Sequence, residues 1–101
     1  MGLDLEKLQI VNNEAEKRFE VRIEGKLCKL DYLQDSGTFV ITHVGVDPQF
    51  RGQGVAGKIV QASLEFARAE SLRVIPMCSY AAAYIHRHPE YADLMTKRAA
   101  D

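Results

Sequence analysis

The sequence has no tryptophan, three prolines and two cysteines in 101 residues. Two cysteines cannot build a disulfide framework, and Cys28 and Cys78 lie too far apart for a metal-ligand spacing. No apolar run approaches the ~20 residues of a membrane span. The start, Met1-Gly2-Leu3-Asp4-Leu5-Glu6, is acidic and lacks the apolar stretch of a signal peptide. An excess of one charge is also missing, with 13 Lys and Arg against 14 Asp and Glu. A generic nucleic-acid or anionic-membrane binder needs a basic footprint, so neither partner is expected. The expected address is cytoplasmic, where thiols stay reduced.

What is present fits one small domain spanning residues 1–101, with 47% hydrophobic residues. The first half reads as strands. A short one is expected near Leu8–Val11. Phe19, Val21 and Ile23 then alternate with Glu20, Arg22 and Glu24, the period of a half-buried strand. Gly25-Lys26 reads as a tight turn. From Leu27 to Leu33, Cys28, Leu30 and Tyr32 share one face, and Asp35-Ser36-Gly37 is another turn signal. Thr38 to Val46 is rich in β-branched residues and reads as a longer strand. Short turns between such strands imply an antiparallel meander.

The period changes in the second half. Ala56, Ile59, Val60, Ser63, Leu64 and Ala67 recur at helical spacing, which predicts a helix over about Gly54–Glu70. Leu72 to Pro76 is a short buried strand. Because a helix separates it from the strand ending at Val46, the two should run parallel, with a right-handed crossover. A second helix is expected from Ser79 to Arg87, stopping before Pro89, and the tail from Glu90 has room for one more short helix.

The strongest chemical signal is Arg51-Gly52-Gln53-Gly54-Val55-Ala56-Gly57-Lys58, between a strand and a helix. Closely spaced glycines let backbone amides approach an anion, and a helix N-terminus favours negative charge. Three phosphate-binding patterns overlap here. Gly52, Gly54 and Gly57 spell a dinucleotide fingerprint, but no acidic residue ends the following strand, Ile75-Pro76-Met77-Cys78. Gly52, Gly57 and Lys58 spell most of a nucleotide-triphosphate loop, but Ile59 stands where a magnesium-binding Ser or Thr belongs. The third pattern, Q/R-x-x-G-x-G/A, is satisfied by Gln49, Gly52 and Gly54.

That loop, approached through Val44-Gly45-Val46-Asp47-Pro48, resembles the acetyl-coenzyme A loop of the GCN5-related N-acetyltransferase superfamily. Thr42-His43, Gly52-Gln53-Gly54-Val55-Ala56, Pro76-x-Cys78-Ser79-Tyr80 and His88-Pro89-Glu90-Tyr91 are similar to its small, stand-alone minimal branch, in the same order. Residues 1–35 match it only in strand character and length. The resemblance implies a mixed α/β fold, with a mostly antiparallel central sheet, a splayed parallel strand pair and two main helices. It implies acetyl transfer from acetyl-coenzyme A to a primary amine: a lysine or terminal amine of a protein or peptide, or a polyamine.

The same resemblance implies roles. Backbone groups of Val44, Gly45 and Val46 would line the pantetheine arm. The amides from Arg51 through Gly52, Gln53, Gly54, Val55 and Ala56 would hold the pyrophosphate, with the Arg51 guanidinium adding a charge-assisted contact. Ser79, opening the second helix, joins the cofactor set. Cys78 precedes a helix N-terminus, which favours thiolate, and is the suspected acetyl carrier. His43 is the candidate base. Related minimal enzymes often place an acid two residues after this histidine, where this chain has Gly45. A tyrosine on the second helix, Tyr80 or Tyr84, would return a proton to the departing thiolate. His86 and His88 have no zinc-site spacing, so no metal is expected. Two other readings compete: a module that binds coenzyme A or its acyl form without turnover, and a thiol sensor in which Cys78 is modified. Neither the acceptor nor the oligomeric state is legible in these residues.

Overall fold

The computed structural model describes residues 3–96. Five strands form one sheet in chain order: β1 (Val11–Asn13), β2 (Arg18–Ile23), β3 (Lys26–Asp35), β4 (Thr38–Gly45) and β5 (Arg73–Pro76). The first four are antiparallel, and β5 runs parallel to β4. Helix α1 (Val55–Ala69) makes the crossover between them, and α2 (Ser79–Arg87) follows β5. Short 3-10 segments cover Leu5–Lys7, Pro48–Phe50 and Pro89–Met95. This is the mixed sheet with a parallel pair and two main helices that the sequence implies. The last 3-10 segment fills the place expected for a short tail helix; residues 97–101 lie outside the described residues.

The hairpins follow from local backbone chemistry. Glu24 and Gly25 have φ of 52° and 80°, and Ser36 and Gly37 have 48° and 84°. Two positive φ values in a two-residue loop match the right-handed twist of the strands they join. The first turn is therefore Glu24-Gly25, one residue earlier than Gly25-Lys26, because glycine takes the second loop position. The first strand also differs from expectation. It spans Val11–Asn13, while Leu8 and Ile10 pack against the core from irregular chain. Apolar residues there signal burial, not a strand. The long strand β4 ends at Gly45, one residue before Val46. Gly54 and Glu70, expected as helix ends, are the caps of α1.

Cys28, Leu30, Tyr32, Phe39 and Ile41 are buried on the sheet face that receives α1. Helix α1 answers with Val55, Ile59, Val60, Ser63, Leu64 and Ala67. Burying such side chains stabilises the fold by roughly 1.5–3 kcal/mol for each large aliphatic one. The buried Ser63 hydroxyl donates to the Val60 carbonyl at 2.7 Å, so no polar group is stranded there. Phe19, Tyr32, Phe39 and Phe66 form an aromatic cluster, with Tyr32 and Phe39 stacked at 4.6 Å. The opposite sheet face is mixed, with Leu33, Val40 and Ile75 side by side at one end and charged pairs elsewhere. Arg18 Nε lies 2.5 Å from Glu20 Oε1, and Lys29 Nζ lies 2.7 Å from Asp31 Oδ2.

Candidate active site

Where β4 and β5 part, the sheet opens. Their pairing runs from Thr38↔Arg73 to Ile41↔Pro76 and stops. The Met77 and Cys78 N–H groups both donate to the Ile41 carbonyl, at 3.0 and 3.1 Å, and the chain then turns into α2. On its other edge β4 stays paired with β3 as far as Gly45.

One extra residue decides which backbone groups face the opening. Tyr32 pairs with Ile41, but Asp31 pairs with His43, so Thr42 is a β-bulge in β4. The Thr42 hydroxyl fixes it by donating to the Asp31 carbonyl at 3.2 Å. A bulge inverts the alternation of the strand beyond it. The Tyr32 N–H points to the Lys17 carbonyl on the β2 side, so Leu30, two residues earlier, faces β2 as well. Its partner Val44 therefore turns its own N–H and C=O away from β3, toward the opening.

The second half of the site is the start of α1. Gly52 and Gly54 have φ of 79° and 88°, a region L-residues rarely enter. Gly54 is the N-cap of α1 and, having no side chain, leaves the helix without a side-chain cap. Among the described residues, no backbone N–H from Gly52 to Ala56 makes a well-formed hydrogen bond to another protein group; the loop enters α1 with the Lys58 N–H donating to the Gly54 carbonyl. A helix leaves its first N–H groups unpaired, and together with the helix dipole these make an anion site. The first turn carries no acidic residue to oppose one.

These two halves share a groove of about 430 Å³. It is lined by His43, Val44, Gly45, Val46, Arg51, Gly52, Gly54, Val55, Ala56 and Tyr80, all named as site candidates from the sequence. Val55 is otherwise turned into the core, whereas Ala56, expected on the packed helix face, is half-buried beside the groove. The remaining candidates stand outside the lining. Gln53 turns its amide back to the Gln49 carbonyl at 3.3 Å. Ser79 is exposed at the first turn of α2. Cys78 is half-buried, packs against the core and occupies the N-cap of α2, again without a side-chain cap. Tyr84 stacks on His88 at 4.0 Å and is half-buried, and this burial pushes its phenol above the usual range. Tyr80 and Tyr84 both lie over Gly57 of α1, where an added Cβ would meet them at 3.6 and 3.5 Å. These are ordinary van der Waals distances; Tyr80 lines the groove and Tyr84 does not.

Arg51 is exposed, and its Nε reaches the Val46 carbonyl at 3.4 Å, which folds the side chain across the groove mouth. His43 is exposed, with its Cε1 3.4 Å from where a Cβ on Gly45 would stand. The sequence reading passed over two contributors. Phe50 is buried and walls the groove from the Pro48–Phe50 turn; an aromatic between Gln49 and Arg51 in a polar loop was the available signal. Leu5 lies across Gly54, 2.8 Å from its ideal Cβ position, a contact between segments too distant in sequence to be read. No group of three or more His, Cys, Asp or Glu able to hold a metal occurs among the described residues. No helix among them is long and apolar enough to cross a membrane.

Residues 18–94 match the family model described as GCN5-related N-acetyl-transferase. This chain belongs to that family. The fold is similar to the NMR solution structure of a GCN5-like protein from Staphylococcus aureus, with a TM-score of 0.70 and 30% identity over 86% of each chain. Protein NATD1 of Xenopus tropicalis is 25% identical over 85 residues, which are 81% of this chain and 78% of that protein. Membership carries N-acetyltransferase activity in general and acetyl-coenzyme A as the family's usual donor.

Proposed function

We propose that this chain transfers the acetyl group of acetyl-coenzyme A to a primary amine in the groove between β4 and the start of α1. The observation that carries the reading is the set of undonated N–H groups from Gly52 to Ala56, in a groove whose lining also includes His43 and Tyr80. A diphosphate satisfies those amides and the dipole of α1 together. The Val44 backbone suits the amide-bearing pantetheine arm, and Val55, Ala56 and Phe50 suit its apolar stretches. The dinucleotide and nucleotide-triphosphate alternatives gain nothing from a groove lined so largely by apolar groups.

Acetyl-coenzyme A, when bound, supplies an acetyl group activated as a thioester. The chain's own residues supply positioning and proton transfers. His43, exposed in the groove lining, takes a proton from the incoming ammonium, since only a neutral nitrogen has the lone pair to attack. Tyr80 reaches the groove from α2 and gives its proton to the departing sulfur. Cys78 stands where the strands part, ahead of the uncapped N–H groups of α2, and is the candidate carrier of the acetyl group on its way to the amine. The helix-free outer side near His43 is the open approach for the acceptor, which suits a lysine or terminal amine on a protein or peptide, or a polyamine.

The test is a thermal shift with coenzyme A, NAD and ATP in parallel, followed by release of free coenzyme A from acetyl-coenzyme A with a panel of amines. Stabilisation by coenzyme A alone, with turnover on at least one amine, is expected. Tight coenzyme A binding without turnover on any amine supports the binding-module reading, which the absence of an acid at Gly45 favours. No coenzyme A binding removes both.

A further inference from the structure

One ion pair beside His43 has no part in the scheme above. Lys29 is the register partner of Gly45, and Asp31 is the partner of His43. Paired residues of an antiparallel ladder project from the same face. The four therefore gather on the outer, uncovered side of the sheet. Lys29 Nζ lies 2.7 Å from Asp31 Oδ2, and both side chains are about two-thirds buried, at 33% and 31% exposure. His43 and Gly45 belong to the groove lining. An ammonium group is thus held on a carboxylate one strand away from the residue assigned to take the acceptor's proton.

Gly45 makes this more than proximity. Neighbouring strands lie ~4.8 Å apart, and a lysine's flexible four-carbon stem covers that distance. A Cβ at position 45 would stand beside the His43 ring, 3.4 Å from Cε1, on the side facing Lys29's strand. Glycine leaves that position unfilled. The other lysines in ion pairs among the described residues, Lys7 with Asp4 at 3.9 Å and Lys58 with Glu6 at 2.9 Å, lie outside the groove lining.

The geometry points to Lys29 as an internal acceptor: the chain acetylates its own Lys29. This inference rests on the acetyl-transfer reading. The Lys29 ammonium gives a proton to His43. The freed nitrogen lone pair then bonds to the acetyl carbon while the carbon–sulfur bond breaks. That bond's electron pair leaves on sulfur, which takes a proton from Tyr80 to become the thiol of coenzyme A, and the nitrogen's second proton passes to Tyr80 as the amide forms. The products are a neutral amide on Lys29 and free coenzyme A. An amide cannot hold Asp31 as an ammonium does, so modification leaves Asp31, beside His43, with Arg18 across β2 as its cationic neighbour.

The experiment incubates the purified full chain with acetyl-coenzyme A and no added amine, and follows intact mass and peptide mass. One acetyl group is expected on Lys29, stable to hydroxylamine as an amide is, and formed well ahead of any on exposed Lys26. Its rate per molecule is unchanged on dilution of the protein, and excess free coenzyme A suppresses it. Lys29→Arg loses the adduct but keeps the thermal shift with coenzyme A. The inference is overturned if Lys29 reacts no faster than Lys26, or if its rate rises with protein concentration, while coenzyme A still binds and an added amine is still acetylated. Absence of coenzyme A binding would instead bring down the groove reading, and this inference with it.

Discussion

The Cys78 N–H donates to the Ile41 carbonyl at 3.1 Å, and this bond marks the end of the sheet on the β5 side. Up to Ile41, β4 serves two partners. Beyond it the Thr42 bulge turns the Val44 backbone outward with nothing of β5 to meet it. One hydrogen bond thus locates the mouth of the groove, the start of α2 and the cysteine together.

Cys78 tests whether the acetyl group pauses on the protein. Cys78→Ala is expected to lose most turnover while keeping its thermal shift with coenzyme A. Wild-type protein quenched during turnover should carry an acetyl group on Cys78 that hydroxylamine removes, as it does a thioester. Full activity in Cys78→Ala would leave direct transfer to the amine as the route.

The two tyrosines of α2 should separate cleanly. Tyr80 lines the groove, whereas Tyr84 stacks on His88 outside the lining. Tyr80→Phe should lower kcat by roughly 10²-fold, the lower range for a general acid, with coenzyme A affinity unchanged. Tyr84→Phe should leave kcat near wild type. Steady-state kinetics on the two variants would reverse the assignment if Tyr84→Phe were the slower.

The glycines of the loop are constrained for different reasons. Gly52 has positive φ and open space around it, so Gly52→Ala should cost only the left-handed penalty, about 1–2 kcal/mol. Gly54 has the same penalty, and a Cβ there would also stand 2.8 Å from Leu5 Cδ1. Gly54→Ala should therefore be the more destabilised in urea unfolding. Adding Leu5→Ala should relieve the clash and leave the backbone strain. Equal stability of the two single variants would contradict this account of Gly54.

Tyr91 gives the fold a pH dependence. Its hydroxyl donates to Glu65 Oε2 at 2.6 Å, tying the Pro89–Met95 segment to α1. Burial first, and then the bond to Glu65, push the phenol up to about 12. An unfolded tyrosine ionises near 10. The folded value is the higher, so the stabilisation is fully present below pH ~10 and is lost as pH rises toward 12. Tyr91→Phe should cost about 1 kcal/mol at neutral pH, and its gap from wild type should close over that alkaline range. A gap in unfolding midpoint that stays constant with pH would contradict the assignment.

Much of this was legible in the residues. The alternation of Phe19, Val21 and Ile23, the helical spacing from Ile59 to Ala67, and the closely spaced glycines after Gln49 each carry a local physical signal. Ten of the proposed site residues accordingly meet at one groove. What could not be read depends on long-range geometry. The Thr42 bulge is a counting difference between two strands, invisible in either one alone. Leu5 crossing Gly54 joins segments with no sequence relation. Tyr80 and Tyr84 share a helix face and both meet Gly57, so helical spacing alone does not say which of them reaches the groove. The first strand was misplaced because Leu8 and Ile10 are half-buried ahead of the pairing that begins at Val11, and burial alone does not specify a ladder partner.

The central claim is that the N–H groups of the Gly52–Ala56 loop take up the diphosphate of coenzyme A. Amide proton–nitrogen NMR of the labelled chain, titrated with coenzyme A, reads those groups one by one. The account predicts that the largest shifts fall on Gly52, Gln53, Gly54, Val55 and Ala56, with Val44 moving as well. Saturable binding that leaves those five amides unmoved would contradict it.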